Sequence, residues 1–397
     1  MKSPIMKNDI IEKAEKVIAN TYKRPSIVIE KGKGCKVWDT DGKSYIDFVA
    51  GVAVCSLGHA HPRVVKALCK QADILFHVSN LYYTVPQVEL AAWLVENSFA
   101  DKVFFCNSGA EANEAAIKLA RKYFSDTCKK ERFKIISMER SFHGRTMATL
   151  SATGQLKVKK GYDPILDGFD FVPFNDIDAL ANKIDDSTCA VLLEPIQGEG
   201  GVRCPAPDYL KKVRDLCDKT GSLLIFDEIQ TGIGRTGKLF AYQHFGVEPD
   251  IMTLAKALGN GLPIGAMLAK DFVASAFVHG SHASTFGGTP VVTSAALEVL
   301  KVIFEEKILE HCERIGAYFM ERLKWLKGRH NSIKELRGMG LMLAVELDAE
   351  GEKVVNECRE RGFLVNCIQD KIIRFIPPLV ISKEEIDALI LCLDDIL

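Results

Sequence analysis

One stretch of the chain, residues 249–261, reads PDIMTLAKALGNG and places Lys256 directly after an apolar run. The run has the length of a buried strand, and the glycines that follow predict a loop. A lysine at this point has two interpretations. Most lysines lay their alkyl stem along apolar neighbours and extend the ammonium group to water. Alternatively, the amine acts as a nucleophile towards a carbonyl cofactor, and the rest of the chain then has to supply the partners of that cofactor.

The composition is that of a globular protein and excludes several classes of function. Of the 397 residues, 47% are hydrophobic and 26% are charged, and the length predicts two domains. A net charge of -1 gives no overall attraction for nucleic acid or an anionic membrane. No apolar run reaches the ~18–20 residues of a membrane span. The twelve cysteines are scattered without a C-x-x-C pair, and residues 1–20 lack the apolar core of a signal peptide. We therefore expect reduced thiols, a cytoplasmic location and no metal site.

Strand and helix patterns alternate from residue 103 to residue 270. Apolar runs of strand length cover residues 103–106, 133–137, 189–193, 223–226, 251–254 and 264–269. Helical patterns over 110–124 and 207–219 lie between them. This alternation predicts an α/β fold with a mostly parallel central sheet and helices on both faces, in which ligands bind at the carboxyl ends of the strands.

The two ends of the chain predict a smaller α+β unit. Short strands joined by Gly and Asp-Gly turns are predicted over residues 27–48. After residue 289 come two long helical stretches, two strands and two shorter helices, the last of which begins with the capping box of Ser382 and Glu385. We expect a small domain of residues 1–55 and 290–397, and a large cofactor-binding domain of residues 56–289.

A motif suited to phosphate follows the first predicted strand of the large domain. Residues 106–114 read CNSGAEANE, in which Ser108 and Glu111 have the spacing of a capping box. Gly109 and Ala110 leave the first amides of the helix open to an anion, which the helix dipole also favours. The alternative is an ordinary turn between a strand and a helix.

Two further loops carry residues that could bind a cofactor or a substrate. In SFHGRT, residues 141–146, Phe142 could stack on a planar ring and Arg145 offers a fork that suits a carboxylate. A core phenylalanine and a surface arginine explain the same pattern. Residues 281–290, SHASTFGGTP, form a hydroxyl- and glycine-rich loop, which suits a phosphate or simply connects two elements.

Asp227 ends the apolar strand in LLIFDEIQ, residues 223–230. A buried carboxylate needs a partner, and a protonated pyridine nitrogen would be one. A nucleotide-binding ATPase is the remote alternative, because a Walker B strand looks similar and residues 232–238, GIGRTGK, match part of a P-loop. However, Leu239 stands where a P-loop needs Ser or Thr, and the order of the two motifs is reversed. The dinucleotide fingerprint also fails, because its glycines do not directly follow the strand.

Together these motifs supply a phosphate cradle, an aromatic ring, a strand-end carboxylate and a strand-end lysine, which pyridoxal 5′-phosphate (PLP) requires. The chain resembles the class III aminotransferases over nearly its whole length. The resemblance is carried by NSGAEANE (107–114), SFHGRT (141–146), EPIQGEGG (194–201), FDEIQTGIGRTG (226–237) and AKALGNGLPIGA (255–266). It implies a fold-type-I PLP transferase that works as a homodimer with its active sites at the subunit interface. A third class of function is a binding protein without catalytic activity. The presence of the complete set of lysine, aspartate and arginine argues against it.

The resemblance implies a role for each cofactor residue. Lys256 binds PLP covalently and moves protons, Asp227 pairs with the pyridinium nitrogen, and Phe142 stacks on the ring. Gln230 contacts the phenolic oxygen of the ring. Thr285 of the partner subunit completes the phosphate site. The other implied cofactor contacts are Ser108, Gly109, Ala110, Glu228 and Ile229.

The same resemblance implies how one pocket serves two substrates. Arg145 takes the α-carboxylate of the amino donor, with Ser284 nearby. Glu199 screens Arg374 while the ω-amine of the donor reacts, and Arg374 is then freed to bind the α-carboxylate of 2-oxoglutarate. Taken alone, Glu199 and Arg374 are also compatible with ordinary surface charges.

The expected donor follows from Val52. Relatives that use free ornithine carry a tyrosine near this position, beside the α-carboxylate end of the substrate. Val52 leaves room for an N-acyl group, so the expected reaction takes N2-acetyl-L-ornithine and 2-oxoglutarate, as in arginine biosynthesis. Ornithine, 4-aminobutyrate, succinylornithine and succinyldiaminopimelate are the alternative donors. Cys55 stands where the family pattern has asparagine.

Overall fold

The computed structural model describes residues 7–127, 129 and 131–397. Residues 1–6 of the predicted small domain, and Cys128, lie outside this range. The strands are β1 Ile29–Lys33, β2 Lys36–Asp39, β3 Ser44–Asp47, β4 Lys102–Cys106, β5 Lys134–Met138, β6 Phe169–Val172, β7 Thr188–Leu193, β8 Leu223–Asp227, β9 Ile251–Leu254, β10 Gly265–Ala269, β11 Ile333–Met339, β12 Met342–Leu347, β13 Phe363–Leu364, β14 Asn366–Ile368 and β15 Ile372–Phe375. The helices are α1 Lys7–Val17, α2 Pro62–Ala72, α3 Val85–Glu96, α4 Gly109–Asp126, α5 Met147–Ala152, α6 Leu156–Lys159, α7 Ile177–Lys183, α8 Tyr209–Thr220, α9 Tyr242–Phe245, α10 Asp271–Ala274, α11 Pro290–Glu305, α12 Ile308–Arg329, α13 Glu352–Glu360 and α14 Lys383–Ile396.

A seven-stranded sheet forms the centre of the protein, in the order β4-β10-β9-β8-β7-β5-β6. The strands from β9 to β6 run parallel, and β10 is antiparallel to both of its neighbours. The predicted α/β fold with a mostly parallel sheet is therefore confirmed. Within this sheet, the strand that the sequence pattern missed is β6, which lies at its edge. Its residues are mostly half-buried and include Asp170, so they form no continuous apolar run. After residue 289 the structure has five strands, β11 to β15, where the sequence pattern predicted two.

Strand β8 shows how both faces of the sheet are covered. Leu223 and Ile225 pack in an apolar cluster with the alanine-rich helix α4, whereas the residues that alternate with them pack in the cluster on the other face. Side chains alternate along a strand. At the end of β8, Asp227 therefore points to the α4 side of the sheet, and Glu228 points to the opposite side.

Two smaller four-stranded sheets have the orders β1-β2-β3-β13 and β11-β12-β15-β14. Because β13 pairs in parallel with β3, the N-terminal meander and the C-terminal part of the chain share one sheet. Phe48, just after β3, packs against Phe319, Phe363 and Phe375 with ring centroids 5.9, 6.4 and 6.4 Å away. The domain boundaries proposed from the sequence, between residues 55 and 56 and between 289 and 290, stay a prediction.

A left-handed turn follows β3. Residues 50–53 all have positive φ values, which are 51°, 65°, 67° and 62° in chain order. Asp47 holds the entry to this turn, because its Oδ1 accepts hydrogen bonds from the backbone N–H groups of Val49 and Ala50 at 2.8 and 2.9 Å. The conformation is least favourable for a β-branched residue such as Val52.

Three general properties concern the described residues as a whole. None of their helices combines the length and the apolar character that a membrane crossing needs. No cluster of three or more His, Cys, Asp or Glu side chains among them is arranged to hold a metal ion. Their cysteines all carry free thiols.

Helix α12 contains two glycines in very different surroundings, which gives a matched pair of variants. A β-carbon at Gly316 would lie 2.3 Å from the carbonyl oxygen of Gly340, whereas one at Gly328 would meet no atom within 4 Å. We expect Gly316→Ala to lower the free energy of unfolding by about 1–3 kcal/mol, because two segments of backbone must separate. Gly328→Ala should raise it by up to ~1 kcal/mol, because alanine is the better helix former. Denaturant unfolding of both variants measures the difference, and equal effects would contradict this packing.

Candidate active site

A cavity of about 480 Å³ opens where the ends of β8 and β9 meet the N-terminus of α4. This is the carboxyl edge of the parallel strands, where ligands bind in such folds, and the volume suits a small molecule. The predicted site residues that line the cavity are Ser108, Gly109, Ala110, Phe142, Arg145, Asp227, Ile229, Gln230 and Lys256. The predicted site residues outside its lining are Glu199, Glu228, Ser284, Thr285 and Arg374.

Asp227 is buried at the end of β8 and is held by three hydrogen-bond donors. Its Oδ2 accepts from Nδ1 of His143 at 2.7 Å and from Nδ2 of Asn113 at 2.8 Å. Its Oδ1 accepts from the backbone N–H of Ile229 at 3.0 Å. The carboxylate is thereby fixed in one orientation, and it places a negative charge at the wall of the cavity.

Helix α4 begins at the cavity. The Ser108 hydroxyl accepts from the backbone N–H of Glu111 at 3.2 Å, as the capping-box pattern predicts. The other half of the box is displaced by one residue, because the Glu111 carboxylate accepts from the backbone N–H of Asn107. A β-carbon at Gly109 would lie 2.7 Å from Cδ1 of Ile229, so this close approach depends on glycine. The amides and the dipole of the first turn favour an anion such as a phosphate.

Lys256 follows β9 and begins a short 3₁₀ turn with a φ of 44°. Positive φ is uncommon for a residue other than glycine and is frequent at functional sites. Burial lowers the pKa of the Lys256 amine below its ordinary value; the Glu199 charge partly opposes this effect, and the Arg374 charge adds to it. An amine with a lowered pKa is more often neutral, and therefore more nucleophilic, near neutral pH.

Phe142 and Arg145 line the cavity side by side. The guanidinium carbon of Arg145 lies 5.5 Å from the centroid of the Phe142 ring. Gly144 between them has a φ of 140°, and a β-carbon there would lie 2.5 Å from Oγ1 of Thr149. A glycine is therefore needed to bring both side chains to the cavity. The Arg145 guanidinium is exposed and open to a carboxylate.

Glu199 and Arg374 meet, although the sequence alone could not show it. Nη1 of Arg374 donates to Oε1 of Glu199 at 2.6 Å and to Oε1 of Gln230 at 3.1 Å. Burial alone would raise the pKa of the Glu199 carboxyl, but the charges of Arg374 and Lys256 outweigh it and the pKa lies below its usual value. Because Gln230 lines the cavity, it connects the ion pair to the cavity wall.

The carboxylate of Glu228 is held by hydrogen bonds within the protein. Its side chain points away from the α4 side of the sheet, where Asp227 lies. Its carboxylate accepts from the backbone N–H groups of Ala241 and Tyr242 at 2.7 and 2.8 Å and from the hydroxyl of Thr231 at 2.9 Å. The contact of Glu228 with the cofactor stays a prediction, and its carboxylate is already paired within the protein.

Ser284 and Thr285 lie outside the cavity of their own subunit. The Ser284 hydroxyl accepts from Nδ2 of Asn107 at 3.2 Å and from the backbone N–H of Gly287 at 3.0 Å. Thr285 is exposed. The predicted contacts of these two residues with a substrate and with the cofactor of a second subunit stay a prediction.

Three buried polar residues were not predicted as site residues. His143 belongs to the motif of residues 141–146 but was given no role there, yet its Nδ1 bonds Asp227 at 2.7 Å and its Nε2 lies 3.2 Å from the Ser137 hydroxyl. Asn113 stands out as a buried amide in an alanine-rich helix face, which is a signal that could have found it. Glu194 lines the cavity, and burial raises its pKa to about 7, with His143 lowering it and Asp227 raising it.

The glycine-rich loop of residues 232–238 uses its arginine for hydrogen bonds inside the protein. Its Arg235 is fully buried and donates to the carbonyl oxygens of Leu341 at 3.0 Å and Pro377 at 2.6 Å. Burial lowers the pKa of this guanidinium to about 10. A side chain committed in this way does not bind the phosphates of a nucleotide, so the ATPase alternative is not favoured.

Comparison with known proteins agrees with this site. The family model described as Aminotransferase class-III matches residues 17–397. The chain belongs to the class III aminotransferases. The acetylornithine aminotransferase of Methanocaldococcus jannaschii is 52% identical to it over 390 residues, which are 97% of each chain.

Solved structures of other aminotransferases share the fold. The acetylornithine aminotransferase from Elizabethkingia anophelis matches with a TM-score of 0.87 and 35% identity over 98% of each chain. The ornithine aminotransferase from Toxoplasma gondii matches with a TM-score of 0.95 and 37% identity, over 98% of this chain and 94% of that one, and its structure contains PLP at the active site. This class III aminotransferase therefore uses PLP as its cofactor.

The residues at the cavity fit that cofactor chemically. An amine, a fixed carboxylate, an aromatic ring and the open amides of a helix N-terminus all face one cavity. They match, in turn, the aldehyde, the ring nitrogen, the ring face and the phosphate of PLP. Gly109 and Gly144 allow the backbone to pack closely against Ile229 and Thr149 beside this cavity.

The lowered pKa of Lys256 predicts the pH dependence of its reactivity. In protein stripped of cofactor, acylation of Lys256 measured by peptide mass spectrometry should reach half its maximal rate below pH 10.5, the pKa of an ordinary lysine. Glu199→Gln should move this midpoint to still lower pH, because the Glu199 charge raises the pKa of the amine. Glu350→Gln is the control and should leave it unchanged. A midpoint at or above pH 10.5 would contradict the desolvation of the amine.

Proposed function

We propose that this aminotransferase moves the δ-amino group of N2-acetyl-L-ornithine to 2-oxoglutarate. The products are N-acetylglutamate 5-semialdehyde and glutamate, and the reaction is a step of arginine biosynthesis in the cytoplasm. The observation that carries the proposal is the Arg374–Glu199 pair beside Gln230, because it supplies a carboxylate-binding arginine that can be screened. The 52% identity with an acetylornithine aminotransferase supports the same donor.

Two residues prepare the reaction. PLP, when bound, supplies an electron sink for the carbon that carries the amino group. Asp227, held by His143 and Asn113, would pair with the ring nitrogen and favour its protonated form. The Lys256 amine, with its lowered pKa, is the group that would hold the cofactor and serve as the base that moves a proton at the reacting carbon.

The ion pair lets one pocket bind either the uncharged side chain of the amino donor or the α-carboxylate of 2-oxoglutarate and glutamate. While Glu199 neutralises Arg374, that end of the cavity suits the uncharged side chain that leads to the δ-amine. When Glu199 rotates away, Arg374 binds the α-carboxylate of 2-oxoglutarate or glutamate as a planar fork. Arg145 remains available at the other end of the substrate for its second carboxylate.

We propose that the acyl group of the donor lies near the turn of residues 50–53. Val52 is 36% exposed in this turn, and Val54 two residues later lines the cavity. A small aliphatic side chain leaves no hydroxyl or charge to pair with a free α-amine, which favours the acylated donor over ornithine. Succinylornithine and succinyldiaminopimelate carry larger acyl groups and are the nearest alternatives; 4-aminobutyrate lacks the group altogether.

A homodimer is part of the proposal. Large apolar side chains are exposed at Leu81 (81%), Tyr83 (97%) and Phe286 (62%), the last of which neighbours Thr285. Nδ2 of Asn80 donates to the carbonyl oxygen of Ser284 at 2.9 Å and thus ties the two exposed segments together. We propose that this surface meets a second copy of the chain and brings Thr285 to the phosphate site of the partner.

The visible spectrum of the purified enzyme tests the donor. We expect a yellow protein whose absorbance bleaches when N-acetylornithine is added without 2-oxoglutarate, and returns when 2-oxoglutarate follows. Bleaching by ornithine or 4-aminobutyrate but not by N-acetylornithine would overturn the proposed donor. A protein that stays colourless when PLP is supplied would remove the role of Lys256.

The screening of Arg374 is tested by Glu199→Gln. This variant removes the charge that neutralises Arg374. The kcat/KM of the half-reaction with glutamate should therefore rise relative to that of the half-reaction with N-acetylornithine. We expect the ratio of the two kcat/KM values to change about tenfold, or ~1.4 kcal/mol. Single-turnover absorbance measures both half-reactions. An unchanged ratio would contradict a role of Glu199 in selecting between the two substrates.

A further inference from the structure

Three successive backbone carbonyl groups beside the Arg374–Glu199 pair are held by side chains. The carbonyl oxygen of Glu199 accepts from Nε2 of Gln369 at 3.0 Å. The carbonyl oxygen of Gly200 accepts from Nε of Arg203 at 3.2 Å, and that of Gly201 accepts from Nε of Arg337 at 3.0 Å. We call Gln369, Arg203 and Arg337 the carbonyl clamp.

The loop that carries Glu199 needs such support because it is rich in glycine. Gly198, Gly200 and Gly201 surround Glu199, and glycine has the widest conformational freedom of all residues. Gly201 has a φ of 113°, where a side chain would also be strained. Backbone hydrogen bonds between Gln197 and Arg203 close the loop at its base. The clamp adds contacts at the three carbonyl groups from Glu199 to Gly201, and thereby narrows the conformations of the segment that directs the Glu199 carboxylate to Arg374.

One hairpin, β14–β15, contacts both members of the ion pair. Arg374 lies on β15, and its Nε donates to Oδ1 of Asn366 on β14 at 3.4 Å. Gln369 lies in the turn between the two strands, with a φ of 49°. Through Gln369 the turn holds the backbone of Glu199, so the same hairpin fixes the distance between the Glu199 backbone and the Arg374 guanidinium.

We propose that the carbonyl clamp sets the preference of the enzyme between ω-amine donors and substrates with an α-carboxylate. By fixing the backbone at Glu199, the clamp limits the change between the two half-reactions to a rotation of the Glu199 side chain. Gln369, Arg203 and Arg337 are positioning residues, because they contact the loop of Glu199 and are not among the residues that line the cavity at Lys256. This inference rests on the proposed role of Glu199 as a screen for Arg374.

The sharpest variant is Gln369→Met. Gln369 is exposed, so the substitution spares the core, and methionine keeps the length of the side chain while removing the donor. Loss of one neutral hydrogen bond should shift the ratio of kcat/KM for glutamate over the amino donor upward by about two- to tenfold. Gln71→Met is the matched control, because Nε2 of Gln71 also donates to a backbone carbonyl oxygen, that of Leu75, at 3.1 Å. It should leave the ratio unchanged.

Two further measurements separate a clamp from a merely structural contact. Glutarate, a dicarboxylate that cannot react, should bind Gln369→Met more tightly than the unchanged enzyme in titration calorimetry, by a similar factor. In the Glu199→Gln background, Gln369→Met should have no further effect on the ratio, because the clamp acts through Glu199.

The outcomes that overturn the clamp differ from those that overturn the proposed function. Three results would each reject the clamp. They are an equal decrease of kcat/KM in both half-reactions of Gln369→Met, unchanged binding of glutarate, and an effect of Gln369→Met on the ratio that persists in the Glu199→Gln background. The ratio is measured with whichever ω-amine donor bleaches the unchanged enzyme. A donor other than N-acetylornithine would therefore overturn the proposed substrate while still giving a test of the clamp.

Discussion

The site depends on one buried carboxylate. Asp227 is removed from water at the end of β8, and a charge in that position is tolerated only because His143, Asn113 and a backbone amide all donate to it. These donors come from a loop, from helix α4 and from the strand end itself. A single ionic group thus requires the sheet, the helix and the loop to meet at one point. The same point is where an anion-binding helix terminus and a desolvated lysine are found.

Much of this arrangement follows from local sequence. Continuous apolar runs predict the central strands, and the spacing of Ser108 and Glu111 predicts the start of α4. Strand-end positions predict that Asp227 and Lys256 face one cavity, because the carboxyl ends of parallel strands lie at one edge of a sheet. The edge strand β6 escaped prediction because partial exposure removes the pattern on which such predictions depend.

The remaining features depend on contacts between distant parts of the chain. Glu199 and Arg374 are separated by 175 positions, and no local pattern indicates that they pair. Glu228 directly follows Asp227 in the sequence, yet the alternation of side chains sends it to the other face of the sheet, where three donors hold it. His143 gave no signal of its own, since a histidine in a loop acquires a role only from the carboxylate that it meets.

The left-handed turn at residues 50–53 has a consequence for how this enzyme could change its substrate. Val52 occupies a backbone conformation that costs a β-branched residue about 1–3 kcal/mol. The acyl group of the donor is proposed to lie near the same turn. Glycine or asparagine would relax the backbone there, whereas most larger side chains would not. Selectivity and thermodynamic stability are therefore coupled at one residue, and an evolutionary path towards another donor at this position has to satisfy both at once.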